Sequence, residues 1–203
     1  MSEPKPPDPA KLVIGVFLRD ASRFAAIFDV LIEQFGPVDI LSRWFPFDFT
    51  AYYASEMGKP LFRRMMSFNG TIDPDCLAQI KLKTNEIETA LQQEGRRTVN
   101  IDPGYLLRER FVLATGKNFA HRISIGKGIY ADLTLIFQRG DFQTLAWTYP
   151  DYAQENVIGF LRKVRNKYIF DLKHRKIDGP ASRSCASENR IPASGSIFSQ
   201  QGE

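Results

Sequence analysis

Two cysteines, two histidines and no long apolar run are what this chain of 203 residues has to offer the commonest functional classes. Cys76 and Cys185 lie far apart, which excludes a disulfide-dense scaffold and predicts reduced thiols in a cytoplasmic protein. The opening MSEPKPPDPA lacks the apolar core of a secretory signal, and no stretch approaches the ~20 apolar residues that cross a bilayer. His121 and His174 stand without any C-x-x-C or H-E-x-x-H, so no zinc pattern exists and no metal site is assigned. No Gly-x-Ser-x-Gly elbow supports a serine nucleophile. Gly126-x-Gly128 has no third glycine opening a helix, which leaves a hairpin turn and no dinucleotide fingerprint. The cofactor is unknown from sequence.

What is present is an ordinary globular composition, 43% hydrophobic and 25% charged, rich in phenylalanine. The net charge of +4 is unevenly spread. Arg162 to Lys176 carries seven Lys/Arg and one acid, giving +6, while the preceding 161 residues sum to −1. Residues 1–10 hold four prolines and read as a flexible leader; 11–175 read as one domain; 176–203, rich in Ser, Gly, Ala and Pro, read as a disordered tail.

Within the domain, Leu12–Leu18 is a continuous apolar run suited to a strand buried on both faces. Phe24, Phe28, Leu31 and Phe35 recur at helical spacing before Gly36-Pro37 stops them. Val38–Phe47 and Leu61–Phe68 read as strands. Asp73-Pro74 opens a second helix whose face is Leu77, Ile80, Thr84, Ile87 and Leu91. Thr98–Ile101 and Leu106–Ala114 are strand-like and broken at Pro103-Gly104. Phe119–Ile125 and Ile129–Phe137 form a hairpin, Phe142–Thr148 a short strand, and a third helix starts near Gln154. The class is α+β, with a ferredoxin-like βαββαβ core, added antiparallel strands and a basic C-terminal helix.

The blocks Pro46 to Tyr53 (PFDFTAYY), Asp102 to Tyr105 (DPGY) and Lys117 to Ile123 (KNFAHRI), in this order, resemble a bacterial family of unknown function. The resemblance spans roughly residues 11 to 170 and implies no established activity. Some members carry a GTP-binding label, and the residues here give it no support. The nearest approach to a P-loop, Thr115-Gly116-Lys117-Asn118, has Phe111 where the first glycine belongs and Asn118 where Ser or Thr meets magnesium.

Candidate chemistry concentrates between Val99 and Leu135. His121 is the residue whose ordinary pKa suits proton transfer, and Asp102 or Asp132 is placed to orient it. Strand alternation puts His121 with Ile123 and Ile125 on the face toward the core, and Arg122 with Ser124 on the other. Arg108, Lys117, Arg122 and Lys127 are expected to hold an anion. Asp48, Tyr52, Tyr53 and Tyr105 are expected to shape the rest of the pocket. These residues point to a protein binding a small anionic ligand, a nucleotide or phosphorylated metabolite, and open to catalysis. The alternative is a non-catalytic RNA-binding or protein-interaction module using the basic 162–176 segment.

Overall fold

The computed structural model describes residues 1–48, 54–174 and 182–183, the residues at 54–55 and 182–183 by backbone alone. In chain order the elements are β1 (Lys11–Leu18), α1 (Phe24–Phe35), β2 (Val38–Leu41), β3 (Phe45–Pro46), α2 (Ala54–Met57), β4 (Phe62–Phe68), β5 (Thr71–Ile72) and α3 (Leu77–Ala90). There follow β6 (Val99–Leu106), β7 (Arg110–Thr115), β8 (Arg122–Ser124), β9 (Tyr130–Gln138), β10 (Asp141–Thr144), α4 (Glu155–His174) and β11 (Ser182–Arg183). Nine strands form one antiparallel sheet in the order β10-β9-β7-β6-β1-β4-β2, with β3 on β4 and β8 on β9. The class is α+β.

Every residue of β1 is buried, as its unbroken apolar run requires of a strand covered on both faces. On one face α1 and α3 pack through Phe24, Ile27, Leu31, Ile80 and Ile87. The Arg64 guanidinium, on the same face of β4, lies over the Phe24 ring. On the other face lie α4, through Leu161, Val164 and Tyr168, and the segment preceding it. Both long helices of the first half start as their sequences dictate. Asp20 and Asp73 accept the amides of Ser22 and Asp75 to cap short 3-10 turns, which run directly into α1 and α3.

Four local expectations are corrected. Val38–Phe47 is two strands, because at Ser42 the side-chain oxygen accepts the Met65 amide in place of a regular ladder bond. Val99–Leu106 is unbroken through Pro103-Gly104. β7 pairs only with Gly104–Leu106, so the proline stands where β6 has lost its second partner. There, two side chains of α3 do the work of a strand: Lys81 Nζ donates to the Ile101 carbonyl at 2.9 Å, and Glu88 accepts the Ile101 amide at 2.7 Å. Burial holds the Glu88 carboxyl above the usual range, against the pull of Lys81 and that amide.

Cys76 is disulfide-bonded, against the expectation of reduced thiols, with its partner outside the described residues. The chain after α4 returns to this region. Ser182–Arg183 pairs in parallel with Thr71–Ile72, where the sequence predicts a structureless tail. The rest of 175–203 lies outside the described residues. At the other terminus the leader ends at Ala10, which is buried and exchanges backbone bonds with Ile72.

Charge is also buried. Lys11 Nζ donates to Asp39, which accepts the Ser67 hydroxyl and lies 3.7 Å from Lys167. Burial pulls Lys11 below the usual ammonium range. It works the other way on Asp39, but Lys11 and Ser67 outweigh it and hold that carboxyl below the ordinary value.

Gly104 is the tightest of the sheet's described glycines. A Cβ there would sit 2.5 Å from the Val112 carbonyl oxygen, which is backbone and cannot swing aside. Gly104→Ala is expected to cost about 1–3 kcal/mol through this overpacking. Urea unfolding measures it, and an unchanged midpoint would show that β6 and β7 are not this close.

Candidate functional site

β9 has two short partners on one edge and β7 along the other. β8 pairs with Tyr130–Asp132 and β10 with Leu135–Gln138. Between them, at a bulge opposite Phe111 and Val112, the Leu133 and Thr134 carbonyls have no strand to meet. The chain supplies side chains for them. Trp147 Nε1 donates to the Leu133 carbonyl at 2.8 Å and the Thr148 hydroxyl to that of Thr134 at 2.6 Å. This pins the turn after β10 against β8, and Tyr149 with it.

Asp132 is the centre of what results. It is 2% exposed, and its Oδ2 accepts from Arg122 Nε at 2.9 Å and lies 3.2 Å from His121 Nε2. A carboxylate only accepts, so Nε2 carries a hydrogen, and in the neutral ring Nδ1 presents its lone pair. The two terminal nitrogens of Arg122 donate to the Lys117 carbonyl at 2.8 Å and to the Tyr149 hydroxyl. His121 stacks on Trp147 with centroids 5.2 Å apart and planes 10° from parallel, and Phe119 lies 5.3 Å from it on a tilt. The His121 side chain is 14% exposed, while Phe119, Trp147 and Tyr149 are exposed at 65%, 39% and 45%. Large aromatic side chains are thus gathered at the surface around an oriented imidazole.

Three sequence-derived residues, His121, Arg122 and Asp132, are thus brought together. The expected alternation is corrected: Arg122 points inward to Asp132, and Ile123 is exposed. β8 begins only at Arg122, so His121 belongs to the turn before it and obeys no strand phase.

The other candidates lie elsewhere. Asp102 is on the same face as Asp132, by the registers Gly104↔Leu113 and Leu113↔Asp132, but two strands away and roughly 12 Å distant on strand spacings. It faces Arg63 at 3.6 Å. The four cations do not converge as expected. Arg108 and Lys117 flank opposite ends of β7, roughly 20 Å of strand. Lys127, in the hairpin turn, donates to Gln79 of α3. Tyr105 is half-buried with Leu77 and Val112, on the α3 face. Asp48 is exposed at a groove beside Phe47, and Tyr52 and Tyr53 lie outside the described residues. Among the described residues no group of three or more His, Cys, Asp or Glu is arranged to hold a metal ion.

Sequence reasoning did not join Trp147, Thr148 and Tyr149 to His121 and Asp132, nor Arg63 and Asp151 to Asp102. Arg63 is the one with a legible signal: with Arg64 it puts adjacent charges on opposite faces of a largely apolar strand, and a charge that is buried must find partners.

The model of one protein family, described as Domain of unknown function (DUF4416), matches residues 8–168. The chain belongs to this family. The matched stretch of the DUF4416 domain runs from the last residues of the leader through most of α4, so it contains the whole Asp132 cluster. No curated protein and no solved structure was found to match the chain.

Asp132→Ala leaves the Arg122 guanidinium, whose side chain is 6% exposed, without its counter-charge. The expected loss is about 3–5 kcal/mol in denaturant unfolding. A loss below about 1 kcal/mol, the range of a surface ion pair, would show that Asp132 does not hold this cluster together.

Proposed function

We propose that this DUF4416 protein binds a small, planar, anionic ligand, a nucleotide or phosphorylated metabolite, at the β8–β9 edge. The observation that carries the reading is the exposed aromatic set Phe119, Trp147 and Tyr149 around His121, an imidazole whose tautomer a buried carboxylate sets. A planar ring is served by stacking on the outer faces of this set. An anion is served by a local charge that stays positive, Arg122 and Lys117 against Asp132. If the protein is an enzyme, His121 Nδ1 takes a proton from the ligand while Asp132 and Arg122 fix the ring. Asp102 is not part of this centre.

The scaffold we propose is ferredoxin-like, supported by β1, β2, β4 and β6 standing in the order β6-β1-β4-β2, each antiparallel to its neighbour, with α1 and α3 on one face. A cytoplasmic location belongs to the same proposal, and the disulfide at Cys76 counts against it, since such bonds persist in oxidising compartments. The RNA-binding alternative draws less support, because three cations of the basic segment are engaged within the fold. Arg162 binds Asp141 through Nε and a terminal nitrogen, Arg165 donates to the Arg108 carbonyl over the Phe137 ring, and Lys167 pairs with Asp171.

Thermal unfolding with purine and pyrimidine nucleotides and sugar phosphates tests the reading. A ligand at a hundredfold excess over Kd adds about 2.7 kcal/mol, roughly 5–10 °C in Tm for a chain of this size. The shift is expected to fall in Phe119→Ala and His121→Gln, which remove no backbone support. No shift with any of these compounds, or a shift untouched by both variants, would contradict it.

A further inference from the structure

A second polar centre, away from the β8–β9 edge, lies across β4, β1 and β6. Arg63, Phe17 and Asn100 form one cross-strand row, and Asp102 stands in a neighbouring row on the same face. The Arg63 guanidinium crosses over β1. It donates to Asp151, lies 3.6 Å from Asp102, and has its carbon 4.7 Å from the Phe47 ring centroid and 4.6 Å from that of Tyr152. Burial works to lower the Arg63 pKa, but Tyr152, Asp151 and Asp102 together outweigh it and raise it above the ordinary guanidinium value.

Among the described residues two donors here have no hydrogen-bond partner, Arg63 Nε and Asn100 Nδ2. Both side chains are more than nine-tenths buried, Arg63 at 3% and Asn100 at 4% exposed. The Asn100 oxygen is already taken by Arg97 at 3.1 Å, so the amide is fixed with its N–H groups turned the other way. A buried donor without an acceptor is destabilising, and folded proteins tolerate few of them. Two in one centre mark a place where an acceptor is missing, beside an Asp102 whose side chain is 24% exposed.

We propose that this centre binds a neutral hydroxyl-bearing ring, a sugar or the ribose of a larger molecule. A hydroxyl is the group that accepts and donates at once. It accepts from Asn100 Nδ2 or Arg63 Nε and donates to the Asp102 carboxylate. An anion suits the centre poorly, because Arg63, Arg97 and Lys81 face Asp102, Asp151, Glu88 and Glu56, a local charge of −1. Phe47, stacked on Phe17 at 4.4 Å, also lines an open groove of about 450 Å³ with Pro60 and Leu61, an apolar wall for the carbon face of a ring.

The test uses the full chain with glucose, ribose and myo-inositol as neutral probes and ribose 5-phosphate as the charged one, read by Tm and calorimetric titration. At least one neutral probe is expected to raise Tm, with no gain in affinity from the phosphate. Asn100→Leu, an apolar side chain of similar size, should abolish the rise while its own Tm stays close to the wild type, since the loss of the bond from Arg97 is offset by the removal of an unpaired donor. Asp102→Asn should weaken binding about tenfold, the cost of exchanging a charged acceptor for a neutral one, and His121→Gln should leave it intact. The proposal is overturned if none of the three neutral probes acts, if the rise survives Asn100→Leu, or if it disappears in His121→Gln alone. It is overturned equally if Asn100→Leu lowers Tm by several degrees, which would show the amide already used structurally.

Discussion

A strand with a bulge and two short partners leaves backbone oxygens that must be satisfied, and the arrangement of the chain's functional face follows from how β9 solves this. The Trp147 indole and the Thr148 hydroxyl take the Leu133 and Thr134 carbonyls. With those two residues fixed, Tyr149 meets Arg122, Asp151 reaches Arg63, and Tyr152 lies over Gly15, where an added Cβ would be 3.4 Å from its hydroxyl. One six-residue strap therefore sets both polar centres. Small residues beneath it are needed for contact as close as this.

The face under the strap and α4 is unusually charged for a sheet interior. Lys11 with Asp39, Arg63 with Asp102 and Asp151, and Arg122 with Asp132 are ion pairs with at least one fully buried member. Desolvation makes such pairs poor sources of net stability, but each is costly to leave half-made. A one-residue slip of any strand would turn these side chains to the α1–α3 face, among apolar residues. The pairs thus penalise wrong registers on a sheet whose apolar strands, β1 above all, pair almost equally well in several. This face also carries the chemistry, because its charges are already desolvated and held in fixed positions.

Much of this fold was legible. β1 announced itself by its continuous apolar run, α1 and α3 by period and by the Asp20 and Asp73 caps, and the Gly126–Gly128 turn by composition. The phase of β8 was not. Three residues are too few to fix alternation, and Ile123, apolar yet exposed, points the reader to the wrong face. His121 and Asp132 were read together correctly because a hairpin makes them neighbours. Asp102 was grouped with them in error, since only the strand order shows that β7 stands between. Arg63 and Asp151, 88 residues apart, meet through topology that no local pattern encodes. The same holds for Cys76, where spacing in sequence says nothing of a tail that folds back beside β5.

The claim on which the rest leans most is that Asp132 sets the His121 imidazole with its hydrogen on Nε2 and its lone pair on Nδ1. Long-range nitrogen–proton NMR correlation on the ring, recorded above the histidine titration, reads the tautomer directly. The account predicts the Nε2–H form for His121 in the wild type, giving way to a mixture in Asp132→Asn. An Nδ1–H form, or a wild-type mixture that Asp132→Asn leaves unchanged, would contradict it.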